Sequence, residues 1–176
     1  MGPSEDTPAE SFRDSSTPTP AQPHRSIWLS ATEADELMGH INRGDQIPVR
    51  IERGPGGLLP TSPDGKHMAP GNRHLARLGL YWLVPRGQRF YEDARAKVVI
   101  QPRELVTLKR EPKNVHDPNA IAVQRNDRTL GYVNKGRAKY LAKRIDAGTE
   151  YRAIALRDSP LSIMIGTPDD LAQLGL

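Results

Sequence analysis

Between residues 84 and 166 the sequence is a series of short apolar runs separated by turn-forming residues, and this pattern limits the fold most. The runs predict strands at 97–100, 104–110, 119–125, 129–133, 150–156 and 161–165. Apolar residues at helical spacing, followed by Gly148, predict one helix at about 135–147. We therefore predict an α+β, mainly β fold: a small OB-like or curved β-barrel with one or two helices, spanning residues 84–166.

The residues before this segment are predicted to form an N-terminal extension with a short helix and a disordered tail. Residues 1–26 are rich in Pro, Ser, Thr and acidic residues and lack apolar periodicity, which predicts disorder. Residues 27–83 form an extension whose role the sequence leaves open. It includes a predicted helix at about 31–43, in which Ser30 and Glu33 can form a capping box.

The rest of the extension is less regular. Residues 47–52 alternate as a possible strand, and the Gly/Pro-rich segment 54–71 is predicted to be a loop. Residues 72–83 fit either a helix or a strand. At the other end, residues 167–176 are predicted to contain a short C-terminal helix, because Thr167 can cap it and Pro168 suits its first position.

Charge is distributed unevenly along the chain. Residues 85–157 carry 17 basic and 8 acidic side chains, a net charge of +9, whereas the whole chain carries +4. Such concentration is typical of proteins with a polyanion partner, although a solvated basic surface fits the charge alone equally well. No apolar run approaches the roughly 18 residues of a spanning helix, so no membrane partner and a cytoplasmic location are expected.

The catalytic motifs and ligand spacings that we sought are missing from the sequence. It contains no cysteine, no Gly-x-Ser-x-Gly and no phosphate-binding Gly-x-x-x-x-Gly-Lys-Ser/Thr. The five histidines have no metal-ligand spacing, so we predict neither a metal nor another cofactor. The chain is therefore expected not to be an enzyme, with a nuclease acting on DNA ends as the alternative.

The densest local signal lies at residues 108–123, where a strand is followed by a polar loop with two prolines and then by another strand. The prolines Pro112 and Pro118 fix the backbone, while Asn114, Asp117 and Asn119 can bond local backbone groups. A loop of this kind can hold side chains in one orientation, as binding sites require.

This segment resembles the HIRAN domain family. The resemblance rests on Leu108-x-Arg110-Glu111-Pro112-x-Asn114, Asp117-Pro118-Asn119-Ala120-Ile121-x-Val123, Gly131-Tyr132-Val133 and the upstream Gly87-Gln88-Arg89-Phe90-Tyr91. It covers about residues 84–157. It implies an OB-like barrel that binds single-stranded DNA and captures its 3′-hydroxyl end in DNA repair or replication, here as a stand-alone module.

The resemblance also implies a role for each site residue. Arg89 and Lys135 would contact phosphates, and Asp117 would accept a hydrogen bond from the terminal 3′-hydroxyl. Stacking or wall surfaces for the bases would come from Phe90, Tyr91 and His116, with Tyr132 contacting the backbone or a base. Phe90 stands where the family commonly has tyrosine, and His116 where an aromatic residue such as tyrosine can stand.

Structural alternatives accompany these assignments. Asp117 fits a turn former, His116 an exposed loop residue, and Tyr91 and Tyr132 core positions. We interpret Arg110 and Glu111 as an ion pair. Lys139, Lys143 and Arg144 are interpreted as a solvated helix face that could also extend a phosphate track.

The expected partners are single-stranded DNA or DNA 3′-ends. The alternative is a protein-interaction adaptor, in which residues 27–83 dock a helicase or nuclease. The sequence leaves the oligomeric state and the choice between DNA and RNA open.

Overall fold

A computed structural model of the chain describes residues 48–176. The predicted tail at 1–26 and the predicted helix at 31–43 lie outside the described residues. The elements are β1 (Arg50–Gly54), β2 (Gly57–Thr61), α1 (Arg73–Arg77), β3 (Tyr81–Leu83), a 3-10 helix (Gln88–Tyr91), α2 (Glu92–Ala96), β4 (Leu105–Arg110), β5 (Ile121–Arg125), β6 (Arg128–Tyr132), α3 (Lys135–Asp146), β7 (Arg152–Arg157), β8 (Ser162–Gly166) and α4 (Pro168–Gln173).

All strand pairings among the described residues are antiparallel, in the order β1-β2-β7-β4-β5-β6, with β8 pairing both β7 and β3. β7 has β8 along one edge. Its other edge is shared by β4, at Ala153 and Ile154, and by β2, at Arg157. The mainly β, α+β class predicted from the sequence is confirmed. The OB-like description stays a prediction.

Both faces of β7 and β8 are buried. Successive residues of a strand point to opposite faces, and each face packs into a different apolar cluster. On one face, Ala153 and Ala155 belong to a first apolar cluster, which α3 covers with Ala138, Leu141 and Ala142. Ile154 and Leu156 point the other way into a second cluster. The second cluster also contains Val49, Leu58, Leu75, Leu78, Leu80, Trp82, Met164, Leu171 and Leu174.

The segment before residue 84 is more ordered than its sequence predicted. The expected loop at 54–71 is wrong in part, because it contains β2, which forms a hairpin with β1. A side chain at Gly57 would clash with the Leu156 carbonyl oxygen, so only glycine lets the hairpin approach β7 this closely. Residues 72–83 form both a helix and a strand: Asn72 caps α1, and Gly79, with a φ of +78°, leads the chain into β3.

The expected β-strand at 97–100 is wrong. These residues follow α2 as a turn and an irregular segment, and they have no strand partner. Their alternation is nevertheless real, since Val98 and Ile100 are buried in the first cluster while Val99 is 75% exposed. The alternating sequence pattern therefore indicated which of these side chains are buried, but the segment does not pair with another strand. The other five predicted strands, the central helix and the C-terminal helix are present, and Thr167 caps α4 as expected.

Candidate nucleic-acid interface

The 3-10 helix is held against the end of β6. Arg86 and Tyr132 exchange two backbone hydrogen bonds, of 2.6 and 2.9 Å. Gly131 makes this approach possible, because a Cβ at this position would lie 2.8 Å from the Arg86 carbonyl oxygen. The Gln88 side chain donates to the carbonyls of Pro85 and Leu161, and its oxygen accepts from the Leu161 amide. These bonds fix the backbone that carries the next three residues.

Those three residues present aromatic and basic groups to solvent. Phe90 is 73% exposed, and the Arg89 guanidinium lies 4.8 Å from the centre of its ring. Tyr91 is half-buried and packs against Tyr132, with 6.1 Å between the ring centres and 49° between the planes. An exposed phenylalanine beside an arginine is a surface suited to a nucleobase and its phosphate.

The loop at residues 111–119 is organised by its own side chains. The Asn114 side-chain oxygen accepts from the amides of His116, at 3.0 Å, and Asp117, at 3.3 Å. One Asp117 carboxylate oxygen accepts from the Asn119 amide at 2.8 Å and from the Asn119 side chain at 3.3 Å. His116 and the preceding Val115, which is 90% exposed, therefore point outward from a fixed backbone.

Tyr132 joins the loop to the 3-10 helix. Its hydroxyl donates to a Glu111 carboxylate oxygen at 3.1 Å, and the same oxygen accepts from the Asn114 side chain at 2.8 Å. Burial, followed by the neighbouring Tyr91 hydroxyl and the Glu111 carboxylate, raises the pKa of Tyr132. The tyrosine therefore remains a protonated donor, and its bond to Glu111 ties Asp117 to Tyr91 through a continuous chain of contacts.

The predicted site residues thus fall into two sets. Contacts bring together Arg89, Phe90, Tyr91, Tyr132 and the loop that carries His116 and Asp117. Lys135 is exposed at the start of α3, three residues after Tyr132. No hydrogen bond or ion pair joins it to the other predicted site residues within 48–176.

The interpretation of Arg110 and Glu111 as an ion pair is wrong. Arg110 instead makes a two-pronged contact with Asp146 at the end of α3, at 3.0 and 2.9 Å. It also donates to the carbonyls of Pro118 and Ala120, on the return side of the loop. Glu111 follows the last residue of β4, and its carboxylate accepts from Tyr132 instead.

Sequence reasoning missed the connecting role of Glu111 and Asn114. Their spacing of three residues around Pro112 was a usable signal, because it suits a side-chain bond across a turn. The basic residues Lys139, Lys143 and Arg144 are exposed on the outer face of α3, as interpreted. Arg144 lies over the ring of Tyr140 at 5.7 Å.

Two kinds of feature are absent from the described part of the chain. Residues 48–176 contain no group of three or more His, Cys, Asp or Glu side chains placed to hold a metal ion. Within the same range, no helix has the length and apolar character needed to cross a membrane.

Antiparallel sheet, basic turn and polar loop define a small β-rich binding module. The sequence model of the HIRAN domain matches residues 86–165. This segment, which is less than half of the chain, is therefore similar to the HIRAN domain, a domain known as a DNA-binding module.

Two solved structures resemble the chain. The crystal structure of the HIRAN domain of human HLTF is 24% identical, with a TM-score of 0.44, and the match covers 55% of this chain and 87% of that one. A protein from Lactobacillus plantarum is also 24% identical, with a TM-score of 0.41, covering 49% and 88%. No curated protein showed a significant match to the chain.

Proposed function

We propose that this chain binds single-stranded DNA and captures its 3′-hydroxyl end at the surface formed by the 3-10 helix, the 111–119 loop and Tyr132. One observation carries the proposal: the hydrogen-bonded chain from Tyr132 through Glu111 and Asn114 to Asp117 fixes a carboxylate relative to exposed rings. A pre-organised site of this kind loses little entropy on binding.

Each group has a physical task in this proposal. Phe90 and Tyr91, together with His116 on the 111–119 loop, offer flat surfaces for the terminal bases, and stacking contributes roughly 1–3 kcal/mol per base without sequence preference. Arg89 and Lys135 contact phosphates by charge-assisted hydrogen bonds. Both are exposed, so they can reach a ligand.

Asp117 would distinguish the two kinds of DNA end. One of its oxygens accepts from Asn119, and the carboxylate keeps further lone pairs for a sugar hydroxyl. A 3′-phosphate at the same position would be repelled by the carboxylate, so specificity comes from a penalty on the wrong end.

Binding to oligonucleotides that differ only in the terminal group tests the proposal. We expect the 3′-hydroxyl strand to bind more tightly than the 3′-phosphate strand, with both affinities falling between about 50 and 200 mM salt. Arg89→Ala should weaken both ligands alike. Asp117→Ala should mainly remove the preference between them.

Asn119→Ala is the matched control for Asp117→Ala, because it removes the side-chain bond to the carboxylate and leaves the carboxylate with its bond from the backbone amide of residue 119. It should retain the preference for a free 3′-end. Equal binding of both ends by the unaltered protein would exclude end capture while leaving single-strand binding to be judged by the salt dependence.

The setting and partners follow from this ligand. Free 3′-hydroxyl ends arise when strands are cut or extended, so we infer a role in DNA repair or replication, with binding rather than catalysis as the activity. A helicase or nuclease partner would be retained in a pull-down after nuclease treatment. Magnesium-dependent cleavage of labelled oligonucleotides would instead support the nuclease alternative.

A further inference from the structure

A second basic site lies at the opposite end of β4. A cavity of about 400 Å³ separates the β1–β2 hairpin from the turn that precedes β4, and Arg53 and Arg103 both line it. The proposed end-binding loop follows β4, whereas this cavity precedes it. β4 has six residues, so the two sites are about 20 Å apart.

Arg103 has an unfavourable backbone conformation. Pro102 and Arg103 are the central residues of a type II turn, in which the Glu104 amide donates to the Gln101 carbonyl at 3.1 Å and Arg103 has a φ of +79°. This position favours glycine, because a Cβ is strained there. Two hydrogen bonds to Ala155 hold this strained turn in place. The Arg103 amide donates to the Ala155 carbonyl, and the Ala155 amide donates to the Glu104 carbonyl, each at 2.8 Å.

The guanidinium groups around the cavity are not neutralised. Arg53 and Arg103 are exposed, and neither forms an ion pair with any residue in 48–176; Arg103 donates to the Gly175 carbonyl. Arg157 adds a third charge beneath the hairpin turn, where its Nε is buried without a hydrogen-bond partner, 3.7 Å from where a Cβ on Gly56 would lie.

The nearby carboxylates are directed elsewhere. Asp158 pairs with Arg95 at 2.6 Å, and Glu104 pairs with Arg125 at 3.2 Å. Glu52 is adjacent to Arg53 in β1 and so points to the opposite face of the hairpin. Positive charge therefore accumulates at the cavity without local compensation.

From this arrangement we propose that the cavity binds phosphate groups of a nucleic-acid backbone, as a second contact remote from the end-binding surface. Guanidinium groups suit this ligand because their fork of N–H donors matches the phosphate oxygens. The proposal rests on the proposed function insofar as DNA is the common ligand, but it does not depend on end capture. A strand long enough to follow β4 would engage both sites.

Arg103→Gly tests this inference, because folding and binding should change in opposite directions. Glycine relieves the strained φ, so the unfolding temperature should rise or stay level. A single strand of about 20 nucleotides should bind several-fold more weakly, and the slope of log affinity against log salt should fall by about 0.7. A strand of about two nucleotides, too short to span β4, should bind as before.

Arg77→Ala is the matched control, since Arg77 is exposed on α1 and its removal changes the net charge equally. It should leave the ratio of long-strand to short-strand affinity unchanged. An unchanged ratio in Arg103→Gly, which includes an equal loss of affinity for both strand lengths, would overturn the second contact. Failure of the unaltered protein to bind the short strand would count against the end-binding surface, whereas the length ratio reports on the cavity alone. Competition by polyglutamate but not by DNA would overturn the choice of ligand.

Discussion

The segment before residue 86 and the segment that matches the HIRAN domain contribute differently to one fold. The matched segment carries all the predicted site residues and most of the first cluster. The preceding segment supplies six members of the second cluster: Val49, Leu58, Leu75, Leu78, Leu80 and Trp82. These pack on the far face of β7 and β8, which the first cluster does not cover.

This difference separates stability from recognition. Ile154, Leu156 and Met164 belong to the matched segment, yet the other eight buried members of their cluster lie outside it. The family match therefore delimits the segment that carries the candidate site, which we call the proposed recognition unit, and not the cooperative core. Substitutions in the two segments should therefore have different consequences for stability and for binding.

The largest effect is expected in the core. Leu80 and Leu141 are each fully buried, in the second and first cluster respectively. Each change to alanine should lower the free energy of unfolding by about 2–5 kcal/mol, through lost burial and the cavity left behind. Chemical denaturation should give a single transition for both variants, with DNA affinity retained where the protein is folded. A separate early transition in Leu80→Ala alone would mean that the two clusters unfold independently.

An intermediate effect is expected at the site. Tyr132→Phe keeps the ring packed on Tyr91 but removes the donor to Glu111. Stability should fall by about 0.5–1.5 kcal/mol, because Glu111 retains its bond from Asn114. The preference for a 3′-hydroxyl over a 3′-phosphate should weaken in the same binding assay. A variant with lower stability but an unchanged end preference would show that this tyrosine serves only the fold.

The sequence predicted much of the fold because local rules and packing agree in the matched segment. Turn residues between β5 and β6, helical spacing in α3 and the cap at Thr167 all act within a few residues. It failed at β2 and at residues 97–100. β2 depends on a glycine that approaches Leu156, about a hundred residues away, and Val98 and Ile100 are buried without a pairing partner.

The proximity of the candidate site residues was predictable from the sequence, but the geometry of their contacts was not. Motif order placed Arg89, Tyr91, Tyr132 and the loop together, and contacts link them. The links through Glu111 and the Arg110–Asp146 pair depend on which way each side chain leaves its strand. Spacing alone does not determine that direction when the strand ends in a loop.

The smallest effect is expected from Asp146. Its bond to Arg110 lowers the pKa of this carboxyl below its usual value, although the group is exposed. A lowered folded-state pKa stabilises the fold above the unfolded value of about 3.9, and that contribution is lost as the pH falls below it. The unaltered protein should therefore be slightly more stable than Asp146→Asn at pH 7, and the difference should vanish in acid and shrink in high salt. Because Arg110 also holds the Pro118 and Ala120 carbonyls, a shifted end preference in Asp146→Asn would extend the proposed recognition unit to the end of α3. An unchanged preference would confine it to the loop, Tyr132 and the 3-10 helix.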